Sequence, residues 1–396
     1  MAENAPPIPR IVILTGAYDD QYLRTRTDDP AICISAGKRV MLYRAFAEAT
    51  GAELILVSPQ PKGRGRPHAL PAVESRFDRF AQRFSRSSGI RKIRYFADFW
   101  HYARHVARHV RDGDVLIFDN YELIYILALR YCRLLGRKNR VVLEYEDGKH
   151  LIDKGFYLMI SRLAEWLGRP LVQAAILATP TLAERLPLGT PTTSVPGILR
   201  DDLVFHPLPR QGEPVLFLYS GSIDYERGGP LLLEYLEAGY FPPNAVFHIT
   251  GQGHFTDRLA VLASKHPGVI HFHGIVSQEE LARIRSICHF GLNLQSSANP
   301  ISRVTYPSKT FDYLNAGIRV ISTRAAGVPE VLGEGGIYLA AENLQGLKDA
   351  IQNAVNQRES ERDQVCQQDA LKRLTFRGSI TRLQSLFGSL TPHAGG

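Results

Sequence analysis

The chain has 396 residues, too many for one ordinary hydrophobic core, and its length favours two domains of roughly 150 to 200 residues each. Its hydrophobic content of 44% is that of a globular protein. No apolar run reaches the roughly 18 residues that would cross a bilayer, and no signal peptide is predicted at the start. The cysteines form no CxxC pair, which argues against a zinc site and a disulfide framework: Cys33, Cys132, Cys288 and Cys366. We therefore expect a cytoplasmic protein with reduced thiols.

The formal net charge of +8 belongs to the first half of the chain. Residues 1–200 hold 30 Lys and Arg against 20 Asp and Glu, and the remainder holds 17 against 19. Within the first half, residues 62–111 carry 13 basic and three acidic residues. Such an excess predicts an anionic partner. No motif of a DNA-binding or RNA-binding module appears, so nucleic acid is not expected.

Short apolar runs alternate with helical patterns in both halves, which predicts an α/β protein with two parallel sheets covered on both faces. The strands predicted in the first half are Arg10–Thr15, Glu53–Ser58, Asp114–Phe118, Arg140–Glu144 and, as the last, Ala174–Thr179. The helices predicted between them are Arg39–Thr50, Phe99–Arg111 and Tyr125–Leu135. In the second half the predicted strands are Val215–Tyr219, Ala245–Thr250, Val269–His273, Phe290–Leu294 and Arg319–Ser322, and helices are predicted at Leu344–Gln357 and Ser379–Phe387.

A stretch rich in proline, glycine and threonine separates the two alternations and cannot hold a long regular element. We place a linker there, at residues 196–214. Residues 1–195 then form the first domain and residues 215–375 the second. Residues 376–396 form a helix and tail that can return to the first domain.

Three glycine turns follow successive predicted strands of the second half: the loop Gly221–Gly229, the turn Gly251-Gln252-Gly253, and Gly274. Glycine lets backbone amides approach a phosphate, and the start of a following helix adds partial positive charge. Because the carboxyl ends of parallel strands share one rim, where ligands bind in open α/β sheets, the three turns predict a binding site. Each turn by itself is equally consistent with an ordinary tight turn.

The sharpest local pattern is Tyr306–Gly317, in which Pro307 and Ser308 are typical of a helix start and Gly317 of a helix end. Lys309 lies in the first turn, where a cation opposes the helix dipole. A bound diphosphate would explain it, and Asp312, one turn further on, would then reach a ribose. The alternative is a solvated lysine and aspartate on a surface helix.

The segments GQGHFTDRLAVLASKHPGVIHFHGIVSQEELARIRSICHFGLNLQ and PSKTFDYLNAGIRVISTRAAGVPEVL resemble the donor domain of the family 4 GT-B glycosyltransferases. The resemblance is clear in the second half and vague in the first. It implies two Rossmann-like domains that face each other across a cleft. It also implies transfer of a hexosyl-type sugar from a nucleotide-sugar donor, with retention of configuration, to an acceptor held mainly by the first domain.

The resemblance also implies roles for residues of the second half. Arg227 and Lys309 match cations on the donor diphosphate, and we assign both to catalysis. Ser308, Lys309 and Thr310 match the helix start that cradles the phosphates, Asp312 matches the ribose carboxylate, and the nucleotide loops contain Gly221, Ser222, Gly251, Gly253 and Gly274. The chain departs from the family at Ser222, where an arginine is frequent, and at Val304, where an acid is expected. No DxD-type carboxylate pair is present in this stretch, so we expect neither a metal nor a cofactor.

Polar residues follow the predicted strand Arg140–Glu144 of the first half. We place Glu146, Asp147 and Lys149 on the acceptor side, and Asp147 or His150 as the group that assists acceptor deprotonation, since binding groups gather at such a strand end. The alternative is a polar loop that makes its own turns. Residues 119–122 are a similar, weaker case.

Basic and aromatic residues are interleaved between Phe77 and Trp100. A predicted helix, Glu74–Ser85, would place Phe77, Phe80, Ala81 and Phe84 on one face among arginines. This pattern suits an anionic membrane surface and a lipid-linked acceptor, so we expect peripheral membrane association. The alternative is that the aromatic face belongs to the core.

The sequence therefore predicts a bacterial, metal-independent GT-B glycosyltransferase that acts on a lipid-linked acceptor or a cell-surface polysaccharide precursor. Two alternatives stay open. One is a nucleotide-sugar epimerase of the same fold, and the other is a catalytically inactive GT-B protein that serves as a binding subunit.

Overall fold

The computed structural model describes residues 8–18, 36–60, 69–88, 94–148, 153–210, 212–325, 327–333, 336–356 and 371–390. The chain divides into two compact units. The first unit comprises residues 1–198 and 376–396, and the second comprises residues 199–375.

The first unit is built on an eight-stranded sheet with the order β3-β4-β2-β1-β5-β6-β7-β8. Its strands are β1 (Arg10–Leu14), β2 (Glu53–Ser58), β3 (Val73–Phe77), β4 (Phe80–Phe84), β5 (Val115–Asp119), β6 (Arg140–Tyr145), β7 (Ala174–Leu177) and β8 (Thr192–Ser194). All neighbouring strands pair in parallel except β3 and β4. The central strands β1 and β5 are buried throughout, as continuous apolar strands of a parallel sheet are.

Among the described residues of the first unit, the helices between these strands are α1 (Ala36–Thr50), α2 (Arg94–His109), α3 (Leu123–Leu134) and α4 (Gly155–Gly168). Helix α3 packs against both α2 and α4. In the part of the chain that the structure describes, no helix is both long enough and apolar enough to cross a membrane.

The second unit is built on a six-stranded, wholly parallel sheet with the order β11-β10-β9-β12-β13-β14. Its strands are β9 (Val215–Ser220), β10 (Ala245–Thr250), β11 (Ile270–Gly274), β12 (Phe290–Asn293), β13 (Arg319–Ser322) and β14 (Ile337–Tyr338). Its helices are α5 (Gly229–Ala238), α6 (Thr256–Lys265), α7 (Gln278–Ile287), α8 (Ser308–Asn315), α9 (Val328–Leu332) and α10 (Leu344–Asn356). The ring of Phe217 stacks between those of Phe247 and Phe290, with centroids 5.0 and 5.5 Å away, at the centre of the core.

The last helix, α11 (Phe376–Gly388), belongs to the first unit. Phe387 packs edge-on against Phe46 of α1, with ring centroids 5.9 Å apart. Arg382 donates a 2.6 Å hydrogen bond to the carbonyl of Ser194 in β8. The chain thus leaves the first unit after Ile198 and completes it again from Phe376.

The segment between the two sheets is attached to the second unit. Residues 195–210 contain no helix or strand of their own. The Leu199 amide donates to the Leu374 carbonyl at 2.8 Å, and the His206 amide donates to the Gly317 carbonyl at 2.7 Å. Arg319 reaches back to the His206 carbonyl at 2.6 Å. Most of the residues that we predicted as a linker therefore pack on the second unit.

The predicted helix Glu74–Ser85 is wrong, because β3 and β4 form a hairpin there. Phe80, Gln82 and Phe84 are buried in alternation with more exposed neighbours, which is the period of a strand. Asp78 takes a φ of 55° in the two-residue turn, as hairpin turns require. Phe77 in β3 and Phe80 and Phe84 in β4 are thus separated by three and four positions, which is by coincidence also the spacing of one face of a helix. The predicted last strand is also followed by another, since β8 pairs in parallel with β7.

Candidate functional site

The three predicted glycine turns come together at the carboxyl edge of the second sheet. The Gly221 amide donates to the Thr250 carbonyl at 3.0 Å, and the Gly251 amide donates to the Gly274 carbonyl at 2.7 Å. The Ile223 amide, inside the first loop, donates to the Gln252 carbonyl at 3.0 Å. These hydrogen bonds join the ends of β9, β10 and β11 into one rim.

Gly251 is required where the first two turns meet. Its φ of 121° is a conformation that other residues rarely adopt. A Cβ atom at this position would lie 2.0 Å from the Gly221 carbonyl oxygen, well inside van der Waals contact. Gly253 is similarly confined, since a Cβ there would lie 2.6 Å from the Ile223 carbonyl oxygen.

Lys309, in the first turn of α8, lies under this rim. Its ammonium group stacks on the ring of Tyr219, with Nζ 3.8 Å from the ring centroid. The Nζ atom is buried and has no hydrogen-bond partner among the described residues. Burial, and then the charge of Arg227, lower the pKa of Lys309 to about 7. An ammonium group in this position lacks the anion that normally accompanies a buried charge.

Gly221 makes room for this lysine. A Cβ atom at Gly221 would lie 2.9 Å from the Cε atom of Lys309. The absence of a side chain at Gly221 therefore leaves space for the Lys309 side chain, in addition to allowing the backbone conformation of the loop.

Arg227 provides a second cation on the same loop. Its guanidinium Nη1 donates a 2.7 Å hydrogen bond to Oε1 of Gln295. The Tyr219 hydroxyl lies 2.9 Å from the Arg227 carbonyl oxygen and 2.8 Å from the Ser222 carbonyl oxygen, so it holds the loop at two points. Sequence reasoning missed both Tyr219 and Gln295. Tyr219 could have been suspected from the sequence, because it is an aromatic residue two positions before Gly221, the first glycine of the loop.

Ser222, the residue found where the family often has arginine, supports the loop instead of carrying charge. Its hydroxyl donates to the Asp224 carboxylate, which also accepts a 2.8 Å hydrogen bond from the His254 amide. These two hydrogen bonds lower the pKa of Asp224. The loop is thereby tied to the turn that contains Gly253.

The other predicted residues of α8 differ in their surroundings. Ser308 is exposed, whereas Thr310 is buried. Asp312 is half exposed, and its carboxylate lies 3.3 Å from Nη2 of Arg285 in α7. Within the described part of the chain, no contact joins Asp312 to the glycine turns. Its role at a ribose stays a prediction.

On the acceptor side the structure describes only part of the predicted set. Lys149 and His150 lie outside the described residues. The amides of Glu146 and Asp147 both donate to Oδ1 of Asn120 at 2.8 Å, which fixes the chain just beyond β6. The Glu146 carboxylate lies 3.4 Å from Nη2 of Arg39. The catalytic role of Asp147 stays a prediction.

A buried polar cluster that sequence reasoning did not assemble lies at the carboxyl edge of the first sheet. Arg39 in α1 forms an ion pair with Asp119, and its Nη1 lies 3.0 Å from the Thr15 hydroxyl. The Tyr43 hydroxyl donates to the same threonine at 2.8 Å. Asp119 is the register partner of Glu144 on the neighbouring strand, and both are buried.

The pKa of Glu144 in this cluster is raised. Burial, and then the adjacent Asp119 charge, raise the pKa of Glu144 well above its usual value, more than Arg39 lowers it. Glu144 therefore holds its proton to a higher pH than an ordinary carboxyl group, while Arg39 contacts the carboxylates of both Asp119 and Glu146.

No metal centre is evident among the described residues, since no three His, Cys, Asp or Glu side chains lie together as ligands would. Metal independence nevertheless stays a prediction.

Comparison with known structures shows the same fold over nearly the whole chain. The lipopolysaccharide outer core galactosyltransferase WaaB is 14% identical with a TM-score of 0.64, covering 96% of this chain and 99% of its own. HepE from Anabaena, in complex with UDP, is 11% identical with a TM-score of 0.66, covering 96% and 100%. A UDP-forming α,α-trehalose-phosphate synthase from Burkholderia vietnamiensis is 12% identical with a TM-score of 0.67, covering 98% and 100%.

These comparisons identify the fold of the protein. It has the GT-B glycosyltransferase fold, with two α/β units whose sheets are mostly parallel, as predicted. Residues 214–357 match the family model described as glycosyl transferases group 1, so the second unit carries that domain. A search of curated proteins finds no match to the sequence.

Replacement of Gly251 by alanine tests the close approach of the two turns. We expect Gly251→Ala to lower the free energy of unfolding by about 2 kcal/mol or more, because the new Cβ collides with a carbonyl at an unfavourable φ. Urea unfolding measures the change. Gly268→Ala is the matched control, since a Cβ there meets nothing within 4 Å. Equal stability of the two variants would contradict the assigned loop geometry.

The protonation of Glu144 can be tested by pH-dependent unfolding. Unfolded Glu144 releases its proton near the usual value of 4.5, whereas the folded protein retains it to higher pH. Its contribution to stability is therefore complete at low pH and lost as the pH rises, by at most about 1.4 kcal/mol per pH unit. Glu144→Gln should remove this loss and be at least as stable as wild type at pH 7. The exposed Glu184→Gln is the control. A strongly destabilised glutamine variant would show that the ionised form is needed.

Proposed function

We propose that the protein is a metal-independent, retaining glycosyltransferase that uses a UDP-sugar. The observation that carries the proposal is the buried, unpartnered ammonium of Lys309 beside Arg227, beneath a rim of glycine turns. An anionic diphosphate supplies the charge that this position lacks. UDP is the nucleotide bound by HepE and formed by the trehalose-phosphate synthase, which share the fold.

In this proposal the two cations, Lys309 and Arg227, stabilise the negative charge that the transfer reaction produces. As the bond between the sugar and the distal phosphate breaks, negative charge accumulates on the leaving diphosphate. Lys309 and Arg227 stabilise this charge in a site partly removed from water, where such interactions are stronger. The Tyr219 hydroxyl donates to the loop, and Gln295 accepts a hydrogen bond from the Arg227 side chain, so both are held before the substrate arrives. In this proposal Asp312 binds the ribose.

The acceptor is assigned to the first unit, at the carboxyl edge of its sheet. Asp147 or His150 assists its deprotonation, beside Glu146 and Lys149. We propose a lipid-linked acceptor or a polysaccharide precursor, with a hexosyl-type sugar as the transferred group. The basic first half of the chain supports an anionic acceptor or surface.

One observation favours a second candidate, a binding protein without catalysis. Ser222 replaces a cation, and the position of the expected acid is taken by Val304, which is buried. Such a protein would bind UDP and release none from any UDP-sugar. A nucleotide-sugar epimerase would instead convert the donor to a new nucleotide sugar without an acceptor.

The proposal is tested by release of UDP from UDP-sugars offered with lipid-linked and soluble acceptors. We expect acceptor-dependent release, and a loss of roughly a hundredfold in turnover for Lys309→Ala and for Arg227→Ala, because each removes a cation from the leaving group. Near-normal turnover of both variants at saturating donor would refute the phosphate assignment.

Matched controls separate this effect from general damage. Lys348 also stacks on a tyrosine, with Nζ 3.6 Å from the Tyr240 ring centroid, and Arg258 pairs with Glu237 on the surface. Lys348→Ala and Arg258→Ala should keep wild-type turnover. Donor-dependent formation of a new nucleotide sugar would favour the epimerase.

The lowered pKa of Lys309 predicts that UDP binding takes up a proton. Above pH 7 the Lys309 side chain of the protein without UDP is largely neutral, and a bound diphosphate restores its charge. The affinity for UDP should therefore fall as the pH rises, by at most about tenfold per pH unit. Calorimetry at pH 8 in two buffers of different ionisation enthalpy measures the uptake. Lys309→Arg should abolish it, because arginine remains charged. Equal proton uptake in the arginine variant would contradict the assignment.

A further inference from the structure

Helix α4 of the first unit presents apolar side chains to the outside. Phe156, Met159, Leu163 and Trp166 are exposed by 66%, 58%, 44% and 71%. They follow one another at i, i+3, i+7 and i+10, so they form one stripe along the helix. We call this set the α4 stripe.

The most deeply buried residues of α4 are small or polar. Its buried residues are Ala164, Glu165 and Gly168. Gly168 lies so close to α3 that a Cβ there would be 2.4 Å from Cδ1 of Ile126. The Glu165 carboxylate forms an ion pair with Arg185 at 2.9 Å. These contacts fix the rotation of the helix, because turning the stripe inward would break the ion pair and drive large side chains into α3.

This arrangement reverses the usual amphipathic pattern, in which the apolar face is turned toward the core. Single exposed apolar residues are common on protein surfaces, whereas a contiguous stripe of four large ones marks an interaction surface. The stripe needs a partner that covers it.

We propose that the α4 stripe docks the protein on an anionic lipid bilayer. The helix has 14 residues, too few to span a membrane, and so lies in the plane of the interface. Trp166 in the stripe and Tyr157, which is 70% exposed and contacts the ring of Phe156, are of the aromatic types that favour the headgroup region. This surface belongs to the first unit, whereas the donor residues belong to the second, and the proposal does not depend on the sugar transferred.

The charges around the stripe favour lipid over a second copy of the chain. Lys154 and Arg162 are exposed on α4 or at its start. Of the two acidic residues there, Glu165 is paired with Arg185, and the Asp153 carboxylate accepts a hydrogen bond from Ser161. A two-fold contact through the stripe would bring Lys154 and Arg162 of both copies to one interface, where like charges repel. Anionic headgroups instead neutralise them.

The α4 stripe differs from the membrane surface expected from the sequence, which included three phenylalanines that the structure buries. Phe77, Phe80 and Phe84 are at most 6% exposed and belong to the core of the first unit. They are not available to lipid, so the core alternative is the correct one for these three residues.

Co-sedimentation of the full chain with vesicles tests the proposal. One vesicle type is phosphatidylcholine, and the other is an equimolar mixture of phosphatidylcholine and phosphatidylglycerol. We expect binding to the anionic vesicles that weakens with salt. The variant Phe156→Ser/Met159→Ser/Trp166→Ser should bind at least about tenfold less. Lys154→Gln/Arg162→Gln should lose much of the salt dependence.

Leu188→Ser/Val261→Ser is the matched control, since both residues are exposed and lie outside α4. It should bind like wild type. Equal recovery of wild type on both vesicle types, or unchanged binding of the α4 variant, would overturn the proposal. So would a wild-type dimer in gel filtration that the α4 variant converts to a monomer, because the stripe would then be covered by a second copy.

A second measurement leaves the stripe intact. The chain has two tryptophans, so Trp100→Phe leaves Trp166 as the sole reporter and Trp166→Phe leaves Trp100. We expect the Trp166 emission to shift to the blue on anionic vesicles, and the Trp100 emission to shift less. An unchanged Trp166 spectrum on vesicles that sediment the protein would place the contact elsewhere and refute the α4 assignment.

Discussion

The contact between the Lys309 ammonium and the Tyr219 ring is the interaction on which the second unit's site depends. The ring provides the negative face of its π-system, which attracts the cation without neutralising it. The same tyrosine uses its hydroxyl to hold the loop that carries Arg227. One side chain therefore positions both cations, and a bound anion would relieve their mutual repulsion. Burial, and then the charge of Arg227, lower the pKa of Lys309, and a bound anion would act in the opposite direction.

The two units use the carboxyl edges of their sheets in opposite ways. In the first unit Arg39 forms an ion pair with Asp119, and the pKa of the neighbouring Glu144 is raised, so little net charge is left in that cluster. In the second unit the positive charges of Lys309 and Arg227 remain uncompensated within the described residues. The carboxyl edge of the first sheet is therefore suited to binding a neutral or weakly charged ligand, and that of the second sheet to binding a strongly anionic one.

The sequence predicted the parts of this structure that depend on local patterns. Apolar runs such as Glu53–Ser58 and Ala245–Thr250 coincide with β2 and β10, and the glycine turns meet because parallel strands end on one rim. The hairpin of β3 and β4 was not predicted, because two strands separated by a two-residue turn can imitate the spacing of a helix. The contacts of Arg39 with Asp119 and of Arg227 with Gln295 join residues 80 and 68 positions apart. Such pairs follow from the packing of whole elements, which no local pattern contains.

The same limit explains why α4 could not be recognised as an interface from its sequence. An apolar stripe has the same sequence pattern whether it faces the core or the solvent, and only the contacts of Gly168 and Glu165 show which side of α4 packs on the protein.

The excess of basic residues in the first half of the chain is partly neutralised by ion pairs. Arg10, Arg39, Arg44 and Arg185 all form ion pairs with acidic residues, and the first two are largely buried. Buried pairs contribute little to attraction at a distance, so the local charges beside α4 matter more than the total. A membrane contact of this kind would therefore rest mainly on apolar burial, and electrostatics would set which lipid surface the stripe meets first.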